Sequence, residues 1–137
     1  MTVETILGID YGLKRVGVAT GNTLTHSAEP LMVIQRNDDT QVIRVIAQLI
    51  REWQANAVAI GVPRHPDGTP HEMTAACLTF TAQLRQTLNI NVIEVDERYT
   101  SAVIPSKTTR KANGKVRSAI QDDQAAAVIL QQHLSGL

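Results

Sequence analysis

Apolar and polar positions along this chain repeat in two periods, and the alternation between them predicts the elements. Ile6 to Ile9 form an apolar run that closes on Asp10, and Tyr11-Gly12-Leu13-Lys14 reads as a turn. Beyond it Val16, Val18 and Thr20 alternate with smaller residues, the two-residue period of a returning strand. Leu31 to Ile34, following Pro30, gives a third short strand. The Asn37-Asp38-Asp39 cluster offers an N-cap to a helix that carries Val42, Val45, Ile46, Leu49, Ile50 and Trp53 on one face. Residues 57–63, AVAIGVP, are apolar throughout, which suits a parallel strand buried between helices. A second helix is expected over 72–88, aligning Met73, Cys77, Phe80, Leu84 and Leu88, and a last strand over 91–95. The closing helix, over 119–134, has the stripe Ala126, Ile129, Leu130 and Leu134.

Antiparallel strands followed by helix, strand, helix, strand and helix predict an α/β fold: one mixed sheet packed with helices. No linker or internal repeat interrupts the chain, so residues 1–137 are expected to form a single domain. Hydrophobic residues at 43% suit a globular core, while aromatics at 3% leave that core to Val, Ile, Leu and Ala. The same scarcity makes any nucleic-acid contact depend on charge and backbone more than on base stacking. A lone cysteine, Cys77, rules out an internal disulfide and is expected in the core. No basic leader precedes the first strand and no apolar run approaches the roughly 20 residues of a membrane span. A cytoplasmic location without membrane contact is therefore expected.

Candidate chemistry lies at the edges of three distant segments: Asp10 after the first strand, Glu97 after the last, and Asp122 opening the closing helix. Charged groups at the ends of buried elements cost free energy unless compensated, and a divalent cation compensates several carboxylates together. Hard oxygen donors of this kind suit Mg2+ or Mn2+ and phosphate chemistry. Asp10 and Glu97 converge only if their strands are parallel near neighbours. Gly12, two residues past Asp10, would let a phosphate or ion approach the backbone. Asp96 and Glu97 point to opposite sides of their strand, so one of the two faces such a site. Asp122 and Asp123 are about equally far from the apolar stripe of their helix, and periodicity does not choose between them. Read separately, each acid also fits an ordinary role, in a turn, a strand-end ion pair or a helix first turn.

Acidic and basic side chains balance, 13 against 13, but their distribution is uneven. From 98 to 117 the chain carries Arg98, Lys107, Arg110, Lys111, Lys115 and Arg117 with no acidic residue. Such a stretch near carboxylates suits a phosphodiester polyanion that the carboxylates alone would repel. Between them, Pro63, Pro66, Gly68 and Pro70 stiffen a loop that would hold Arg64 and His65 over the same sheet edge as Asp10. His65 and His71 lack the paired spacing of a zinc site and read as loop surface.

The segments GIDYGLKRVGVA, IGVPRHPDGT, VDERYTS and DDQAAAVIL, in this order and spacing, resemble the YqgF/RuvX family over nearly the whole chain. The resemblance implies a ribonuclease H-like, five-stranded mixed sheet with helices on both faces. It implies a nuclease, from a family named for Holliday junction resolution, whose better supported role is 5′-end maturation of the 16S ribosomal RNA precursor. Asp10 then matches the first-strand catalytic Asp and Glu97 the Glu of the DER motif. The D-x-x-A-A pattern favours Asp122 as the third carboxylate, with Asp123 in reserve. On this reading Asp10 bridges two Mg2+ or Mn2+ ions about 3.5–4 Å apart, and Glu97 and Asp122 each complete one site. Lys14 and Arg98, with Lys107, Arg110, Lys111, Lys115 and Arg117, would hold the backbone of structured RNA or branched DNA. A monomer or weak homodimer is expected. Two features depart from the family pattern: Arg64-His65-Pro66, and Pro105, which interrupts a usually continuing helix and leaves a basic loop over 106–118. The first turn also resembles the phosphate loop of sugar kinases and actin-like ATPases, which need two such domains to enclose a nucleotide. A non-catalytic RNA-binding or transcription-associated factor is the third possibility.

Overall fold

The computed structural model describes residues 3–63, 67, 73–96 and 122–137. The elements are β1 (Thr5–Asp10), β2 (Arg15–Asn22), β3 (Ala28–Gln35), α1 (Asp39–Trp53), β4 (Ala57–Val62), α2 (Thr74–Leu88), β5 (Asn91–Asp96) and α3 (Asp122–Ser135). The expected helix starts at 72 and 119 lie outside the described residues. One five-stranded sheet runs in the order β3-β2-β1-β4-β5. β1, β2 and β3 are antiparallel neighbours, whereas β4 runs parallel to both β1 and β5. β1, β4 and β5 therefore point the same way and end at one edge of the sheet, β1 at Asp10 and β5 at Asp96. They are near neighbours as required, with β4 between them.

Side-chain size divides the two faces. Leu7, Ile9, Val16, Val18, Val58, Ile60 and Val62 pack with Ile46 of α1 and Phe80 and Leu84 of α2. On the other face the sheet offers Ile6, Ala19, Ala57 and Ala59 to Ala126, Ile129, Leu130 and Leu134 of α3. All four residues of the expected α3 stripe are fully buried, worth about 2 kcal/mol for each large side chain. Large residues on one side and small ones on the other follow directly from the two-residue alternation in β1, β2 and β4. The smallness draws α3 close. A methyl group at Gly8 would lie 2.7 Å from Leu130 Cβ and 2.8 Å from the Ala126 carbonyl oxygen.

Local signals act as expected at α1. Asp38 caps it by accepting the Gln41 N–H at 2.8 Å, and Gln41 Oε1 accepts the Asn37 N–H at 2.9 Å. The helix ends at Gln54, in the left-handed region with φ 53°. Two readings need correction. β3 begins at Ala28 rather than Leu31 and contains Pro30, which pairs with Ala19 where the register shifts. A proline is tolerated there because β3 is an edge strand and irregular at that point. Trp53 is 42% exposed, in the final turn of α1, and Ile43 is buried in the helix face instead.

Candidate active site

Asp10 and Asp122 both lie at the carboxyl edge of the sheet, and small residues decide how. Asp10 pairs with Gly17 across β1 and β2. Ile6 and Gly8 of β1 face α3, so the alternation directs the Asp10 side chain to the same side. A methyl group at Gly17 would overlap the Asp122 carbonyl and approach the Asp123 amide nitrogen to 2.8 Å. The backbone of α3 at Asp122 thus rests directly on the residue paired with Asp10. Segments more than 100 residues apart meet at one point, because Gly17 presents no side chain to separate them.

Asp122 is anchored at this edge through its side chain. The Asp122 carboxylate accepts a hydrogen bond from Arg15 Nε at 2.6 Å, forming an ion pair with Arg15 at the start of β2. The Arg15 side chain is 53% exposed and that of Asp122 31%, so water screens the pair and its net contribution is small. Beside it opens a cleft of about 340 Å³, lined among the described residues by Tyr11, Gly12, Leu13, Lys14, Arg15, Met73 and Asp122. Lys14 is exposed at this cleft.

The turn that carries Lys14 and Arg15 is held from behind by a network absent from the sequence reading. Tyr11 stacks on Phe80 with ring centroids 4.5 Å apart. Its hydroxyl donates to Asp39 Oδ1 at 2.7 Å, and Arg36 Nε donates to the same oxygen at 3.0 Å. Arg36 also donates through Nη1 to the Leu13 carbonyl at 3.1 Å and through its amide to the Lys14 carbonyl at 2.9 Å. Burial, reinforced by the hydrogen bond to Asp39, pushes the Tyr11 hydroxyl up to about 12. Its hydrogen bond to Asp39 likewise raises the Arg36 guanidinium above its ordinary value. Gly12 belongs to this turn as well. A methyl group there would lie 2.6 Å from the Arg15 carbonyl oxygen, so its missing side chain makes room for the turn itself. On the opposite side of the edge, Thr74 donates to the Pro63 carbonyl and Cys77 to the Gly61 carbonyl at 3.2 Å, fixing α2 to the end of β4. Cys77 is a buried core thiol, as expected.

The predicted residues therefore divide. Asp10, Lys14 and Asp122 come to the same sheet edge. Glu97, Arg98, Lys107, Arg110, Lys111, Lys115 and Arg117 lie outside the described residues, as do Arg64, His65, His71 and Pro105. Asp96, by alternation with Val95 in the α3-side cluster, belongs to the α2 side. Among the described residues no three His, Cys, Asp or Glu side chains form a group able to hold a metal ion. Arg15 and Gly17 were missed. Their signal, in KRVGVATG, was a cation opening a strand and a glycine opposite the acid; neither had meaning until α3 was in place. No helix among the described residues is long and apolar enough to cross a membrane.

Sheet order, strand directions and helices on both faces define a ribonuclease H-like α/β fold. RuvC of Thermus thermophilus, solved with a Holliday junction substrate, superposes with a TM-score of 0.60 at 12% identity, covering 97% of this chain and 94% of that one. The fowlpox virus Holliday junction resolvase gives a TM-score of 0.51 at 14% identity, covering 97% and 99%. The family is more specific than the fold. The model of the family described as "RuvX: Holliday junction resolvase" matches residues 4–136, and the chain belongs to that family. A Paraburkholderia xenovorans protein named "Putative pre-16S rRNA nuclease" is 47% identical over 133 residues, covering 97% of this chain and 89% of its own length. A protein of the same name from Paraburkholderia phytofirmans is 45% identical with the same coverage.

Proposed function

We propose that this chain is a metal-dependent nuclease that hydrolyses phosphodiester bonds, and that its substrate is the 5′ extension of the 16S ribosomal RNA precursor. The observation that carries the reading is the meeting of α3 with β2 at Gly17, the residue paired with Asp10, which brings Asp10 and Asp122 to one sheet edge beside a cleft with Lys14 and Arg15. Family membership and the names of its relatives support the reaction and the substrate.

The donors fit a hard divalent ion: they are carboxylates, and Asp122 already engages a cation, the Arg15 guanidinium. Asp10, Glu97 and Asp122 would hold Mg2+ or Mn2+, which when bound supplies an acidified water and charge stabilisation at the scissile phosphate. Lys14 would hold a backbone phosphate in the cleft, with Arg98, Lys107, Arg110, Lys111, Lys115 and Arg117 extending the track. The Tyr11–Asp39–Arg36 network keeps the Lys14 backbone fixed while its side chain meets the substrate. Rigid support of this kind matters because displacement by about 1 Å costs on the order of a hundredfold in rate.

The test is incubation of the purified protein with Mn2+ or Mg2+ and a 5′-extended 16S precursor fragment, alongside a four-way DNA junction. Metal-dependent cleavage of the RNA, reduced at least about a hundredfold by Asp10→Asn, about 3 kcal/mol of barrier, is the expected result. Cleavage of the junction alone would make it a resolvase. Binding without cleavage, unchanged by Asp10→Asn, would refute the nuclease and leave a binding factor.

A further inference from the structure

The Arg15–Asp122 pair joins a cation to a carboxylate that the nuclease reading assigns to metal. We propose that Arg15 is a resident counter-cation, which neutralises Asp122 in the metal-free protein and must be displaced when a divalent ion binds; this rests on the metal-site reading above. Three observations carry it. The guanidinium occupies Asp122 Oδ2 at 2.6 Å, an approach a hydrated divalent ion would also need. The side chain is more than half exposed, and so has solvent to swing into. Its backbone is independently fixed, because Arg15 pairs with Gln35 in the sheet and its carbonyl closes against Gly12. The side chain can therefore leave without unravelling the strand.

The physical reason for exchange is charge. A guanidinium left on Asp122 repels an incoming dication and hinders access to the oxygen it holds. Without a metal, the same guanidinium offsets the charge of Asp122 and adds a modest, screened tie between α3 and β2. Arg15 thus balances the charge of Asp122 in the unloaded site at the expense of metal affinity.

Mn2+ binding, measured by titration calorimetry and by the paramagnetic resonance of free Mn2+, tests this on the full chain. Arg15→Gln is expected to bind Mn2+ about tenfold more tightly than the wild type. Arg15→Lys, which keeps the positive charge, should stay within about twofold of the wild type. Arg15→Gln should also melt lower than the wild type in chelator, with the gap closing at saturating Mn2+, a change that a merely structural contact would not give. Unchanged or weaker Mn2+ binding by Arg15→Gln overturns the proposal, and if Asp10→Asn abolishes binding in the same series the metal site itself stands. Equal Mn2+ binding by wild type, Asp10→Asn and Asp122→Asn overturns the metal site and the exchange together. Binding by Arg15→Gln where the wild type binds none supports the exchange directly.

Discussion

Replacing Gly17 by alanine examines the close approach of α3 to the strand pair that carries Asp10. The added methyl would overlap the Asp122 carbonyl group and lie 2.8 Å from the Asp123 nitrogen. The obstacle is backbone, so no side chain can rotate away. The argument concerns space rather than backbone conformation, since Gly17 is not among the residues of positive φ. To restore ordinary contact α3 must move by about 1.5 Å, which also disturbs the packing of Ile129, Leu130 and Leu134 on the sheet. Overpacking within a core costs about 1–3 kcal/mol, and a backbone clash belongs at or above the upper end. The expected loss is about 3 kcal/mol or more, a fall of roughly 10 °C in melting temperature for a chain of this length. Any protein that remains folded carries Asp122 displaced relative to Asp10, so metal-dependent cleavage should fall on the order of a hundredfold. Thermal melting and cleavage assays are read together, with Gly136→Ala as control. A methyl there meets only ordinary contacts, at 3.6 and 3.8 Å, and should change stability by less than about 0.5 kcal/mol. A Gly17→Ala protein that melts within about 2 °C of the wild type and cleaves normally would refute the close approach of α3.

Two further outcomes are expected. The Tyr11 hydroxyl, raised to about 12 in the fold from an ordinary 10.0, favours its protonated form. Stability from this group is complete below pH 10 and is lost as pH rises toward 12. Tyr11→Phe lacks that alkaline loss, so denaturant unfolding of both proteins from pH 8 to 12 should show curves that converge or cross; parallel curves would exclude the shift. Replacing Lys107, Arg110 and Lys111 by glutamine should weaken RNA binding and flatten the slope of log affinity against log salt by about 0.7–0.9 per lost phosphate contact, and an unchanged slope would remove this segment from the interface.

The sequence by itself determined the elements and their faces. Alternation of large and small residues in β1, β2 and β4 set which side would take two helices and which would take one, and Ala126, Ile129, Leu130 and Leu134 defined the buried stripe of α3. Asp10 at a strand end was legible because a carboxylate after an apolar run stands out locally. The path of β3 was less so, since a proline stops a central strand but not an edge one, and a strand's place in the sheet is not a local property. Only the tertiary structure decided which of the described residues share the sheet edge. Helical periodicity left Asp122 and Asp123 equivalent, and the contact of Asp122 with Arg15, 107 residues away, is one that no local pattern announces. Gly17 took its role from α3, and the Tyr11–Asp39–Arg36 network joined a turn to a helix 28 residues on. Periodicity reports how a residue relates to its own element. Which residues share a site depends on how elements pack, and here that packing was set by the absence of a side chain at Gly17.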